Sequence, residues 1–383
     1  MYQEFSIPAP IIFGCGSISV LGEKVKEKGC KKALIISEKG IVDAGIVAKA
    51  TAVLEDAGIE YEVYSGVQAD PPDSIVDEAG QLALQLGVDC LIGLGGGSSL
   101  DTAKAASILM TYPGPVREYI HGVPDFVDTK APVFLIPTTA GTGSECTTVA
   151  IISLPDKNVK WPVFVNTSLA IIDPELMVSL PKSITASTGM DAFAHAAEAM
   201  TSTTWNYHSD LFAEAAIKKI AKYLPVCCET PDNIEARSEL ALAANWAGIA
   251  FNNPITHVGH AIADALSVHF HTPHGLNCAL ALPDTMALIG SAVPERMHII
   301  AEAMCISLVG NESGEELGKL VASSMRDIMK KIGILSLKDM GYLRDDVLKC
   351  VPDVIASHLC GHCPVDITED VALKLLSDVY DNY

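Results

Sequence analysis

Along the first half of the chain, short β-branched runs alternate with longer stretches of 3.6-residue apolar spacing. Ala33–Ser37, Tyr61–Tyr64, Cys90–Leu94, Pro132–Pro137 and Leu169–Asp173 read as strands, being apolar runs of four to six residues bounded by polar or turn residues. Val42–Ala57, Ile75–Leu86 and Leu100–Met110 read as the helices between them. Strands alternating with helices of this length predict a parallel sheet covered on both faces. After Pro181 the pattern changes to Ala, Leu, Met and Glu at helical spacing. It predicts helices over Ala186–Met200, Ser209–Tyr223, Ile234–Ala250, Ile255–Ser267, Val293–Ala303 and Ser313–Ile332. The expected organisation is therefore an α/β domain over residues 1–180 and an all-helical domain over 181–383, divided where Ser179-Leu-Pro-Lys-Ser183 supplies a break and a helix start.

Bulk properties narrow the function. The chain has 383 residues, 49% of them apolar and 19% charged, enough for a large core and too apolar for disorder. A formal net charge of −21 argues against nucleic acid or an anionic membrane surface as partner. Eleven cysteines in no regular spacing point to reduced thiols, and neither a signal peptide nor an apolar run of about 18 residues is visible, so the expected location is cytoplasmic.

Two glycine- and hydroxyl-rich turns leave predicted strands. Gly95-Gly-Gly-Ser-Ser-Leu-Asp-Thr-Ala-Lys104 opens a helix, where close backbone approach and unpaired amides suit a phosphate. Ser98 and Asp101 fit a capping box that would fix the start of that helix. The spacing is neither that of a P-loop nor that of a Rossmann fingerprint, and a triple glycine is also compatible with a plain structural turn. Pro137-Thr-Thr-Ala-Gly-Thr-Gly-Ser-Glu145 is a second such loop, and Glu38 directly follows the first strand, where an acid can accept from an adenosine ribose hydroxyl.

The second half carries a concentration of metal-ligating side chains. Five of the eleven histidines fall between Thr256 and His274, and Asp191 and His195 lie four residues apart on one predicted helical face. Asp191, His195, His260 and His274 are the expected ligands, a carboxylate and three imidazoles suited to iron or zinc before magnesium or calcium. His257 and Asp264 flank His260, and Cys360-Gly-His-Cys363 is a weaker candidate, lacking a second pair with which to complete a structural zinc site.

Together, these segments, with Gly-Met-Asp-Ala-Phe-Ala-His at 189–195 and His-Thr-Pro-His-Gly at 271–275, resemble the iron-dependent (group III) alcohol dehydrogenase family over roughly residues 5–290. The resemblance implies the dehydroquinate-synthase-like fold of that family. It also implies reversible hydride transfer between NAD(H) and a small primary alcohol or aldehyde, iron(II) ahead of zinc(II) at the metal site, and assembly as dimers or multiples of dimers. By position, Gly96, Gly97, Ser98 and Asp101 would hold the pyrophosphate region, and Thr138, Thr139 and Thr142 the nicotinamide half. Lys160 would contact the cofactor ribose, while Glu38 and Asp70 would lie on the adenosine side. Many members have a histidine where this chain has Asp264, so a proton relay would here pass through Asp264 or His257, beside His274. The C-terminal Leu-Cys-Gly-His-Cys-Pro at 359–364 also departs from the family pattern. Three alternatives are a zinc polyol dehydrogenase of the glycerol type, a dehydroquinate-synthase-like lyase, for which the second half lacks the expected basic cluster, and a non-catalytic NAD- or metal-binding sensor.

Overall fold

The computed structural model describes residues 3–112, 114–120, 129–157 and 159–383. It divides into two compact units, one of residues 7–139 and 143–178, the other of residues 179–383 together with 140–142 and the segment ending at Ser6.

The first unit is built on a six-stranded parallel sheet. Its strands are β1 (Ile11–Phe13), β2 (Lys32–Ile36), β3 (Glu60–Tyr64), β4 (Cys90–Gly95), β5 (Val133–Pro137) and β8 (Leu169–Ile172), in the order β1-β8-β5-β4-β2-β3. A separate antiparallel hairpin pairs β6 (Val149–Leu154) with β7 (Val159–Phe164). Buried apolar residues alternate between the two faces of the parallel sheet, as period-two side chains must. Leu34, Ile36, Leu91, Val133 and Leu135 enter one core, and Ala33, Ile35, Cys90, Ile92, Phe134 and Ile136 the other. Helices α1 (Leu21–Glu27), α2 (Lys39–Asp43), α3 (Ile46–Asp56), α4 (Asp73–Leu86) and α5 (Gly97–Leu109) connect and cover the strands. The single helix expected over 42–57 is two, because Gly45 adopts a left-handed conformation (φ 74°) between α2 and α3. The strand β1 and the hairpin were not anticipated. β1 is only three residues long, and β6 shows mixed burial along its length rather than a continuous apolar run.

The second unit is helical: α6 (Lys182–Thr201), α7 (Tyr207–Glu229), α8 (Ile234–Phe251), α9 (Val258–Phe270), α10 (His274–Ile289), α11 (Pro294–Ala303), α12 (Gly314–Ile332), α13 (Arg344–Leu348), α14 (Val351–Ala356) and α15 (Glu369–Asp381). Helix α7 runs through Pro225, past the expected end at Tyr223. Leu224, Pro225, Cys227 and Cys228 are all buried there, and that packing outweighs the one backbone bond a proline removes. Helix α9 begins three residues later than its apolar pattern suggests, because Ile255 (φ 64°) and His257 leave helical geometry before it. Helix α6 is buried along nearly its whole length from Gly189 to Thr201, so its three ionisable residues there, Asp191, His195 and Glu198, are enclosed by protein.

Candidate metal centre and cofactor turn

In the helical unit, α6, α9 and α10 bring the metal-ligating side chains together. Asp191 and His195 lie one turn apart on α6, His260 sits in the first turn of α9, and His274 opens α10. Two glycines permit the approach. A Cβ on Gly275 would stand 2.6 Å from the Ser187 carbonyl and 3.2 Å from Asp191 Cβ, so only glycine lets α10 start against α6. A Cβ on Gly259 would stand 2.6 Å from Glu198 Oε1, and its absence lets the start of α9 close on that carboxylate.

Asp191 Oδ1 is the hub. It lies 3.8 Å from the Nε2 atoms of His195, His260 and His274 alike. That is too long for a hydrogen bond, yet inside the roughly 4.2 Å that separates two donors on opposite sides of one first-row ion. Asp191 Oδ1 and His260 Nε2 are both buried without a hydrogen-bond partner, which is costly unless a cation satisfies them. The donor set therefore fits a divalent metal. Asp191, His260, His274 and also Cys278 present ligand atoms within 4.8 Å of one another, the one such group among the described residues. His195 stands outside that tight set, its ring stacked on Phe251 at 4.2 Å between centroids. Cys278 was not anticipated. Its signal was the i,i+4 spacing from His274, the same spacing that had drawn attention to Asp191 and His195.

A second layer orients these groups. Glu198, fully buried, pairs through Oε1 with His260 Nδ1 at 2.7 Å and accepts the backbone amides of His257 at 2.7 Å and His260 at 3.4 Å through Oε2. A carboxylate at the amide-rich start of α9 is also favoured by the helix dipole. Asp264 Oδ1 lies 3.5 Å from His274 Nδ1, near the ring nitrogen turned away from Asp191. Burial raises the Glu198 carboxyl, but the His260 and His257 rings and hydrogen bonds more than offset it and hold it at about 2. Burial likewise opposes ionisation of Asp191, and its three imidazole neighbours bring it below the usual carboxylate value. Burial lowers His195 and His257 to about 4, leaving them neutral at pH 7.

The remaining histidines of the dense run have other partners. His257 Nε2 meets Thr201 Oγ1 at 2.9 Å, His269 pairs with Asp353 at 2.6 Å, and His271 caps α9 with φ 53°. Cys360 donates to the Val354 carbonyl, and burial raises the Cys360 and Cys363 thiols to about 11 and about 12, so both stay protonated.

In the α/β unit, Glu38, the pair Gly96 and Gly97, and the pair Thr138 and Thr139 follow the carboxyl ends of β2, β4 and β5, three neighbouring strands. The chain leaves β2 toward β3 and β4 toward β5, in opposite directions, which makes this strand pair the place where open α/β sheets bind ligands. The expected capping box is absent. Helix α5 starts at Gly97 after an extended Gly96 with no side-chain cap, because Asp101 is engaged elsewhere. Its carboxylate takes Ser144 Oγ and the Ile151 amide and stands 3.3 Å from the fully buried Lys104 Nζ, which in turn donates to the Ser144 and Val149 carbonyls. Ser98 uses its carbonyl to accept Thr102 Oγ1. Glu38 Oε1 accepts the Gly96 amide at 3.2 Å, joining the predicted ribose acid to the predicted phosphate turn. Lys160 Nζ and Asp70 Oδ1, two further candidates, pair at 2.7 Å. Thr138 is buried with its hydroxyl unpartnered, and Thr142 falls with the helical unit.

Comparison with known proteins gives this arrangement its class. Residues 8–174 match the model of the iron-containing alcohol dehydrogenases, and residues 185–380 that of the C-terminal part of the Fe-containing alcohol dehydrogenase family. The chain is 34% identical over 348 residues to the NAD-dependent methanol dehydrogenase of Bacillus methanolicus, covering 90% of this chain and 91% of that one. Its fold superposes on an alcohol dehydrogenase from Oenococcus oeni with a TM-score of 0.93 at 32% identity, covering 99% and 100% of the two chains. A sulfoacetaldehyde reductase from Bifidobacterium kashiwanohense, solved in complex with NAD+, superposes with a TM-score of 0.89 at 28% identity over the full length of both. The chain belongs to the iron-containing alcohol dehydrogenase family. It is thus a metal-dependent oxidoreductase that works with NAD(H) on small alcohols and aldehydes. No helix among the described residues is long and apolar enough to cross a membrane.

Proposed function

We propose that Asp191, His195, His260 and His274 hold the catalytic iron(II), and that the turns after β2, β4 and β5 hold NAD(H). The observation that carries this reading is the unpartnered, buried Asp191 Oδ1, equidistant at 3.8 Å from three imidazole nitrogens. A metal held there would supply Lewis acidity to the alcohol oxygen, and NAD+ held by the turns would supply the hydride acceptor. The protein's own part is to hold those imidazoles in place. Glu198 fixes the His260 ring, and Asp264, 3.5 Å from His274 Nδ1, stands where it can position that ligand or enter a proton relay. The reading includes a primary alcohol as substrate, a cytoplasmic location, supported by eleven free cysteines, and self-association, supported by the family resemblance.

Chelation followed by anaerobic reconstitution tests it. NAD+-dependent oxidation of a panel of short primary alcohols should vanish with the metal and return with iron(II). Undiminished turnover in fully metal-free protein would refute it. On the cofactor side, Glu38 places a negative charge beside the Gly96 amide, where a ribose 2′-phosphate would be repelled. Glu38→Ala is expected to lower the NAD+ over NADP+ preference in kcat/KM by at least about tenfold, or roughly 1.4 kcal/mol. An unchanged ratio would remove Glu38 from cofactor selection.

A further inference from the structure

We propose that Asp264 makes the centre selective for substrate charge, so that its preferred alcohols carry an ammonium group a short alkyl chain from the hydroxyl. This deepens the reading of Asp191, His195, His260 and His274 as the metal ligands and rests on it.

Exposure marks the side from which a substrate arrives. Asp191, His195 and His260 are buried, whereas the His274 side chain is 28% exposed and that of Asp264 35%. Within the helical unit the centre therefore opens beside His274, and Asp264 borders that opening. Its Oδ1 stands 3.5 Å from His274 Nδ1, one imidazole ring away from the Nε2 that faces Asp191. Asp191 Oδ1 and His260 Nε2, buried and without hydrogen-bond partners, independently mark the same place as one that takes a ligand.

Charge in the surrounding helices is one-sided. Helices α9 and α10 contain no lysine or arginine, and α6 has only Lys182, its first residue. The same helices carry Asp191, Glu198, Asp264 and Asp284, of which Asp284 is paired with Arg326. Metal-bound imidazoles are neutral, so Asp191, Glu198 and Asp264 set three carboxylates against one divalent ion and leave a negative charge over. Asp191 and Glu198 are buried, so Asp264 is the carboxylate an arriving molecule meets. An ammonium group beside it cancels the surplus charge, an uncharged chain leaves it, and a carboxylate or sulfonate adds to it. At the effective dielectric of a partly buried site, opposite unit charges a few Å apart favour association by at least about tenfold.

Two alcohols of one shape test this: 3-aminopropan-1-ol, whose amine is protonated at pH 7, and butan-1-ol, in which a methyl group replaces the ammonium. Iron-loaded protein is expected to show a kcat/KM with NAD+ at least about tenfold higher for the cation. Calorimetric titration into the complex with NADH, which cannot accept a hydride, should show the same preference in Kd. Asp264→Asn keeps the size of the side chain and an acceptor beside His274, and should bring both ratios to about one. Asp264→Glu keeps the charge and should retain the preference. A residue that merely positions His274 would change both alcohols alike. No wild-type preference for the cation, or a preference that Asp264→Asn leaves intact, would therefore overturn the proposal. The binding ratio decides it even in protein that oxidises neither alcohol, a result that would count instead against the reading of the metal centre.

Discussion

Replacing His260 by alanine is expected to reduce bound metal from one ion per chain to below about a tenth and to lower kcat by at least about 10³-fold. The first figure follows from geometry. His260 Nε2 faces Asp191 Oδ1 at 3.8 Å, and its Nδ1 is already held by Glu198, so no other imidazole can rotate into its place. Loss of a mere orienting group costs roughly 10–100-fold in metal affinity, and loss of a ligand should cost more. The second figure follows from the several kcal/mol of charge stabilisation a Lewis acid contributes, each 1.36 kcal/mol being about tenfold in rate. Elemental analysis and steady-state kinetics on the same preparation check both. His269→Ala, whose ring pairs with Asp353 instead, is the control and should retain metal.

Glu198→Ala should have the largest effect on stability, about 3–5 kcal/mol by chemical denaturation. The carboxylate is fully buried and serves His260 Nδ1 together with the His257 and His260 amides, so its removal strands donors that water cannot reach. The same residue predicts a pH dependence. Its folded pKa of about 2 is depressed from an ordinary 4.5, so its contribution is fully present above about 4.5 and is lost as pH falls toward 2. Wild type should therefore lose more stability than Glu198→Ala across that window. Equal losses would show that Glu198 is not the linked group.

Much of this was legible in the sequence, for identifiable reasons. β2, β3, β4, β5 and β8 are long enough to show β-branched runs, whereas β1 has three residues and β6–β7 carries Lys160 and Pro162 among its apolar positions. Asp191, His195, His260 and His274 were visible because ionisable groups on Ala-rich helices stand out. Glu198 was equally conspicuous three residues after His195, but a lone glutamate gives no hint that the start of α9 closes on it. Cys278 was hidden among eleven cysteines, and only the docking of α10 on α6 through Gly275 selects it. The capping box at Ser98 and Asp101 was a reasonable local reading that lost to a tertiary one. Asp101 gains a buried lysine, a hydroxyl and an amide by turning away from the helix start.

The measurement that bears most directly on this account is anomalous X-ray scattering from a crystal of the iron-reconstituted protein, recorded on either side of the iron absorption edge. The account predicts one peak per chain, in contact with Asp191 Oδ1 and the Nε2 atoms of His195, His260 and His274. No peak there, or a peak at Cys360 and Cys363 instead, would contradict it.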